Sequence, residues 1–106
     1  MPQAQLQRDK DSTRVDPKHY SVEFENDQVR IVRAKYGPHE KSVMHAHPAT
    51  VAVFLKSAKV RMTGPTGKTE DREVRAGEAA FSEAEEHLPE NLGDGSVEVV
   101  LIELKR

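Results

Sequence analysis

Cysteine and tryptophan are both missing from the 106 residues. Without a thiol there is no disulfide, no thiolate metal ligand, no cysteine nucleophile and no thiol redox role. A domain this small without such staples needs an efficient core, or a partner that extends it. Aromatic residues are scarce, and the net charge of -2 comes with no basic stripe. Both features speak against nucleic acid as a partner. No apolar run approaches the roughly 18 residues of a membrane span. The first twenty residues carry no apolar stretch of the secretory type. The expectation is a cytoplasmic chain that engages neither membrane nor nucleic acid.

Valine is what the chain does have. It supplies 12 of the 23 Leu, Ile, Val and Phe residues, and valine favours strands. Residues 1–18 are polar, and their few apolar members follow no helical or strand period, so they read as a flexible or loosely attached N-terminal arm. A single domain is expected over residues 19–106. Tyr20, Val22 and Phe24 alternate on one side of a first strand. Residues 29–36 form a second, ended by Gly37-Pro38. Residues 50–55 are nearly all apolar and read as a central strand buried on both sides. Residues 59–63 and 70–75 flank a turn at Gly64-Pro65-Thr66-Gly67. The Gly67-Lys68-Thr69 triplet lacks the strand-loop-helix setting of a phosphate loop and reads as part of that turn. Residues 83–86 are the one plausible helical turn. In the last strand, Val97, Val99 and Leu101 share one face while Val100, Ile102 and Leu104 share the other. Eight or nine short strands and no long amphipathic helix predict an all-β sandwich or barrel. A last strand apolar on both faces predicts a homodimer that buries the surplus.

His45 and His47 form an H-x-H pair. Residues two apart in a strand point to one face, so both imidazoles can meet one ion. His87 lies on another predicted strand or its entry, and an antiparallel fold can bring it across from the pair. Three neutral imidazoles suit iron, zinc, nickel, copper or manganese and leave positions open for water or substrate. The same pair also occurs as exposed polar residues, and spacing alone leaves both readings open. Glu83, Glu85 and Glu86 read as a solvated rim. Glu85 would nevertheless share a face with His87 if the segment is extended. Arg61, Arg72 and Arg75 lie on hairpin strands, where one could bind a substrate carboxylate. Asn91 reads as a turn residue bonding local backbone.

The stretch from Gly37 to His47 resembles the first motif of the cupin superfamily, in which a glycine precedes an H-x-H pair. Gly77-Glu78 leading to His87-Leu88-Pro89-Glu90-Asn91 resembles the second. The resemblance spans about residues 19–104. It implies a jelly-roll barrel of two sheets, with His45, His47 and His87 pointing into its mouth as metal ligands below a small-molecule ligand. The superfamily's usual carboxylate would fall on Val51 or Ala52, neither of which binds metal. The familiar proline and glycine before the third histidine fall on Ser82 and Ala84. Three-histidine iron sites occur in the superfamily among thiol and β-diketone dioxygenases. The function expected is therefore a small metal-binding cupin, in its sharpest form a mononuclear iron oxygenase. The alternative is a non-catalytic binding cupin with a weak or absent metal site. Iron is the expected metal for activity, with zinc or nickel as the metal found. His39, on the loop after Pro38, is the candidate acid-base residue.

Overall fold

The computed structural model describes residues 9–105. One helical turn, α1 (Ser12–Val15), precedes nine strands. These are β1 (Tyr20–Glu25), β2 (Val29–Tyr36), β3 (His45–His47), β4 (Thr50–Phe54), β5 (Ala58–Thr63), β6 (Thr69–Val74), β7 (Ala79–Ser82), β8 (Glu85–Asn91) and β9 (Val97–Leu104). They form a five-stranded sheet ordered β1-β2-β9-β4-β7 and a four-stranded sheet ordered β3-β8-β5-β6. Every strand pairing is antiparallel. Among the described residues, no helix is long and apolar enough to cross a membrane.

Alternation explains how the two sheets close on one core. Strand β9 is buried at every second residue, Val97, Val99, Leu101 and Glu103. Its partners across the ladder are Tyr36, Ala34 and Val32, opposite the first three. These residues join Tyr20 and Val60 in the buried cluster, and Ala52, Phe54, Ala58 and Met62 pack against it. The turn between β5 and β6 uses Gly67 at φ 90°, a left-handed backbone that disfavours a Cβ. The Gly67 N–H donates to the Gly64 carbonyl at 3.0 Å, closing the hairpin expected from the sequence.

The other face of the five-stranded sheet is also apolar. Its register aligns Phe24, Ile31, Ile102, Val51 and Phe81 in one row across all five strands. A bulge between Val22 and Phe24 turns Phe24 onto this outer row, because Val22 pairs with buried Val32 and Phe24 with Ile31. The half-buried outward face of β4 corrects the expectation of a strand buried on both sides. β9 occupies the centre of the sheet.

A further local expectation differs from the structure. Residues 85 and 86 are strand rather than helical turn, since Glu85 and Glu86 pair with His47 and Ala46. Cross-strand pairing supplies their backbone partners, whereas a single isolated turn has little to stabilise it. In the N-terminal arm, the first eight residues lie outside the described residues. The remainder, residues 9–18, packs on the barrel, with Asp11 bridged to Ala46 and Ser12 and Asp16 buried.

Truncating Leu101, which seals the core at the middle of β9, should destabilise the fold. Leu101→Ala is expected to cost about 3 kcal/mol, read as a lower urea midpoint with an unchanged slope.

Candidate metal centre

Strand register assembles the cluster. In β3 the two histidines are two residues apart and face the same way. In β8, His87 stands directly opposite His45, and Glu85 opposite His47. The three histidines the sequence singled out therefore converge, with one ligand atom of each lying within 4.8 Å of the others. Ring contacts fix them further: centroids are 4.8 Å apart for His45–His47, 5.0 Å for His45–His87 and 5.1 Å for His47–His87. Tyr20 packs edge-on against His45 at 4.8 Å.

Each ring has a partner for its Nδ1. His45 Nδ1 lies 2.9 Å from the Val43 carbonyl and 3.1 Å from Ser42 Oγ. His47 Nδ1 lies 3.0 Å from Glu103 Oε2. His87 Nδ1 lies 2.5 Å from Glu85 Oε2. A carbonyl and two carboxylates only accept, so all three rings carry their proton on Nδ1. In a neutral ring with its proton there, Nε2 is the lone pair a metal would take. The Nε2 atoms of His45 and His87 are buried and have no hydrogen-bond partner. Buried polar atoms are rarely left in that state, and a divalent metal ion is what such lone pairs accept. The residues present fit a metal held by His45, His47 and His87.

Burial pushes the His45 imidazole down to about 3, with the neighbouring His47 and His87 rings acting in the same direction. Its neutral form, the one a metal needs, is thus held across the ordinary pH range. Tyr20 and Tyr36 share a hydroxyl hydrogen bond of 2.6 Å, and burial raises both phenols, Tyr36 to about 12.

Beside the cluster opens a cavity of about 140 Å³. Its walls are largely apolar, with Phe54, Val60, Met62, Val99 and Leu101 among the lining residues, and His47 and His87 border it. Of the three hairpin arginines, Arg72 lines this cavity and is the one guanidinium to do so among the described residues. It pairs with buried Val60 in the ladder and so shares its inner face. Arg61 is engaged outside by Asp71 at 2.7 and 3.0 Å. Asn91 is buried and ties two loops together, donating to the carbonyls of Gly37 and Gly95 and accepting from the Gly93 N–H.

His39, the candidate acid-base residue, is not brought to the cluster. It stands on the loop before β3 at φ 59°, its side chain 62% exposed, with Nε2 2.6 Å from Asp94 Oδ1. Its N–H donates to the Gly93 carbonyl, which anchors the loop to the exposed segment ahead of β9. Glu85 is on the cluster face, as an extended segment requires, but its carboxylate holds the far side of His87. The sequence reading missed Glu103, 2% exposed, which takes Arg30 Nε at 2.8 Å on one oxygen and His47 on the other. The signal was there: Glu103 continues the inward series Val97, Val99, Leu101, and an acid at an inward position needs a buried partner. Also missed were Asp16, Ser42 and His19, all buried.

The metal-free protein should lose stability in mild acid. His45 binds a proton near 6.5 when unfolded and only near 3 when folded. Its contribution is complete above about 6.5 and is lost as pH falls toward 3, because unfolding takes up the proton. The slope reaches about 1.4 kcal/mol per pH unit. Urea unfolding of the parent and His45→Gln between pH 7 and 4 should show that extra slope in the parent alone.

No family model and no curated protein matches the chain. Solved structures do. A cupin domain from Bordetella pertussis is 22% identical with a TM-score of 0.76, over 82% of this chain and 92% of that one. An RmlC-like cupin family protein with a double-stranded β-helix fold, from Methanocaldococcus jannaschii, is 14% identical with a TM-score of 0.62, over 84% and 83%. The polyketide cyclase RemF from Streptomyces resistomycificus is 19% identical with a TM-score of 0.56, over 76% of this chain and 57% of that one. What the two histidine motifs resembled, the architecture bears out: the chain folds as a small cupin domain.

Proposed function

We propose that this protein is a metal-dependent cupin enzyme, a mononuclear iron oxygenase that acts on a small organic substrate. The observation that carries the reading is the pair of buried, unpartnered Nε2 atoms on His45 and His87, beside His47 and an apolar cavity. Iron bound there would supply redox chemistry with dioxygen and open coordination positions for an enolate-like or thiolate substrate. The chain's own residues do the rest. Val60, Met62 and Leu101 exclude water and hold the substrate's apolar part. Arg72 offers a guanidinium to an acidic group on it. Tyr20, whose hydroxyl is hydrogen-bonded to Tyr36, borders the cavity as a neutral phenol.

A second reading has its own support. Neither Val51 nor Ala52 supplies the familiar carboxylate, and Glu85 is taken up by His87. Three neutral ligands leave the metal's charge uncompensated, which favours a binding protein with a weak metal site. Elemental analysis of protein purified without a histidine tag separates the two. The enzyme reading expects about one metal per chain, loss of it in His47→Ala, and oxygen uptake by the iron form. Full metal retention in His47→Ala would sink it. Ligand protection that is equal with and without chelator, and no turnover, would favour the binder.

The protein is further proposed to be a homodimer that packs the outer apolar row of the five-stranded sheet against a second copy. Phe24 and Phe81 stand 52% and 54% exposed at the two ends of that row, and half-buried Ile102 and Val51 lie between them. Sedimentation should give twice the 11.9 kDa chain mass. Ile102→Lys should shift it to the monomer without disturbing the inward core.

A further inference from the structure

We propose that residues 9–19 are a working part of the metal centre, a clasp that sets the two β3 histidines from outside the barrel. The inference rests on the reading of His45, His47 and His87 as metal ligands. It begins with backbone placement. The Ala46 N–H donates to the Lys10 carbonyl at 2.8 Å, and Asp11 forms a parallel bridge with Ala46. The segment therefore pairs along the free edge of β3 at the residue between the two ligands. Lys10 Nζ lies 2.5 Å from Glu86 on β8, the register partner of Ala46. The turn α1 then carries the chain inward to Asp16 and His19.

Two acids of this segment reach the two histidines, each through one chain of contacts. Asp11 binds the Arg30 guanidinium, Arg30 binds Glu103, and Glu103 accepts from His47 Nδ1. Asp16 Oδ2 accepts the Ser42 hydroxyl at 2.5 Å, and Ser42 Oγ lies 3.1 Å from His45 Nδ1. Asp16 is itself locked. It accepts from His19 Nδ1 at 2.8 Å, His19 Nε2 meets Glu40 Oε1 at 3.1 Å, and the His19 ring stacks on Tyr36 at 4.2 Å.

The chemistry of Ser42 gives this geometry a consequence. With its proton committed to Asp16, Ser42 presents only lone pairs to His45 and joins the Val43 carbonyl as an acceptor at Nδ1, which keeps the imidazole proton there and leaves Nε2 for metal. Without the Asp16 carboxylate, the hydroxyl can turn its proton toward Nδ1, compete with the Val43 carbonyl there and raise the share of the other tautomer, whose protonated Nε2 binds no metal. Arg30 plays the matching part for His47. Held by Asp11, Arg30 fixes the pose of Glu103, and loss of the Asp11 charge lets Arg30 shift and draw Glu103 off the ring. Asp11 and Asp16 are thus positioning residues, and docking of the segment is linked to metal binding.

Cobalt(II) binding to the full-length chain tests this through its visible absorption and a competing chelator. Asp16→Asn and Asp11→Asn should each weaken affinity by about tenfold to a hundredfold and alter the cobalt spectrum. Asp71→Asn, at the exposed Arg61 pair, should match the parent. Ser42→Ala, which removes the hydroxyl and leaves the Val43 carbonyl at Nδ1, should bind like the parent, and adding it to Asp16→Asn should restore the affinity. If Asp16→Asn fails to fold, Asp11→Asn carries the test. Folded Asp16→Asn and Asp11→Asn variants that bind cobalt within twofold of the parent would overturn the proposal. If the parent itself binds no cobalt, the metal reading fails. Nitrogen-15 spectra of the histidines in the metal-free chain then decide the clasp. A His45 tautomer that shifts in Asp16→Asn supports it, and one that does not shift overturns it.

Discussion

Everything at the centre of this barrel depends on where three imidazole protons sit. A ring on a dry inner wall must place its N–H against an acceptor, because water is not there to take it. His45, His47 and His87 all solve this at Nδ1, with acceptors from three different parts of the chain. The solution for one nitrogen creates the opportunity at the other. One ligand atom of each ring lies within 4.8 Å of the others, and a cation is what such a cluster accepts.

The same constraint explains the most costly feature of the fold, a carboxylate buried in the central strand. Glu103 continues the inward face of β9 and would be expensive there alone. It is tolerated because Arg30 neutralises one oxygen and His47 occupies the other. Arg30 in turn is held by Asp11 as well. One buried acid thereby joins the five-stranded sheet, the edge of the four-stranded sheet and the N-terminal segment. The apolar cavity beside the cluster has the complementary property. Its largely apolar walls lower the polarity on that side, and low polarity strengthens the charge interactions the site makes.

Much of the architecture was legible because alternation is local. Tyr20 and Val22, the β2 run and Val97 to Leu104 announce strands and the sets of residues that share a face within a few residues. The H-x-H pair is legible for the same reason, since period two puts both rings on one side. Residues 83–86 were misread because glutamates give a strand no apolar alternation to follow, and their pairing with β3 is a long-range matter. The N-terminal segment read as loose because its polar residues satisfy no period. Its attachment is made by a backbone bond to β3 and by single ion pairs and hydrogen bonds to residues far along the chain.

By itself, the sequence determined an all-β sandwich or barrel without thiol chemistry, two histidines on one face of an extended segment, a third histidine on a later strand or its entry, and no carboxylate just after the pair. Only the tertiary structure decided that His87 stands opposite His45, that Glu85 and Glu103 serve the far sides of the rings, that His39 stays with Asp94 on the loop, and that Asp11 and Asp16 back the ligands. The physical reason is the range of the interactions. Side-chain direction along a strand is set by backbone period and can be read residue by residue. The partner of a buried nitrogen is set by which strands lie side by side, and that is a property of the closed barrel alone.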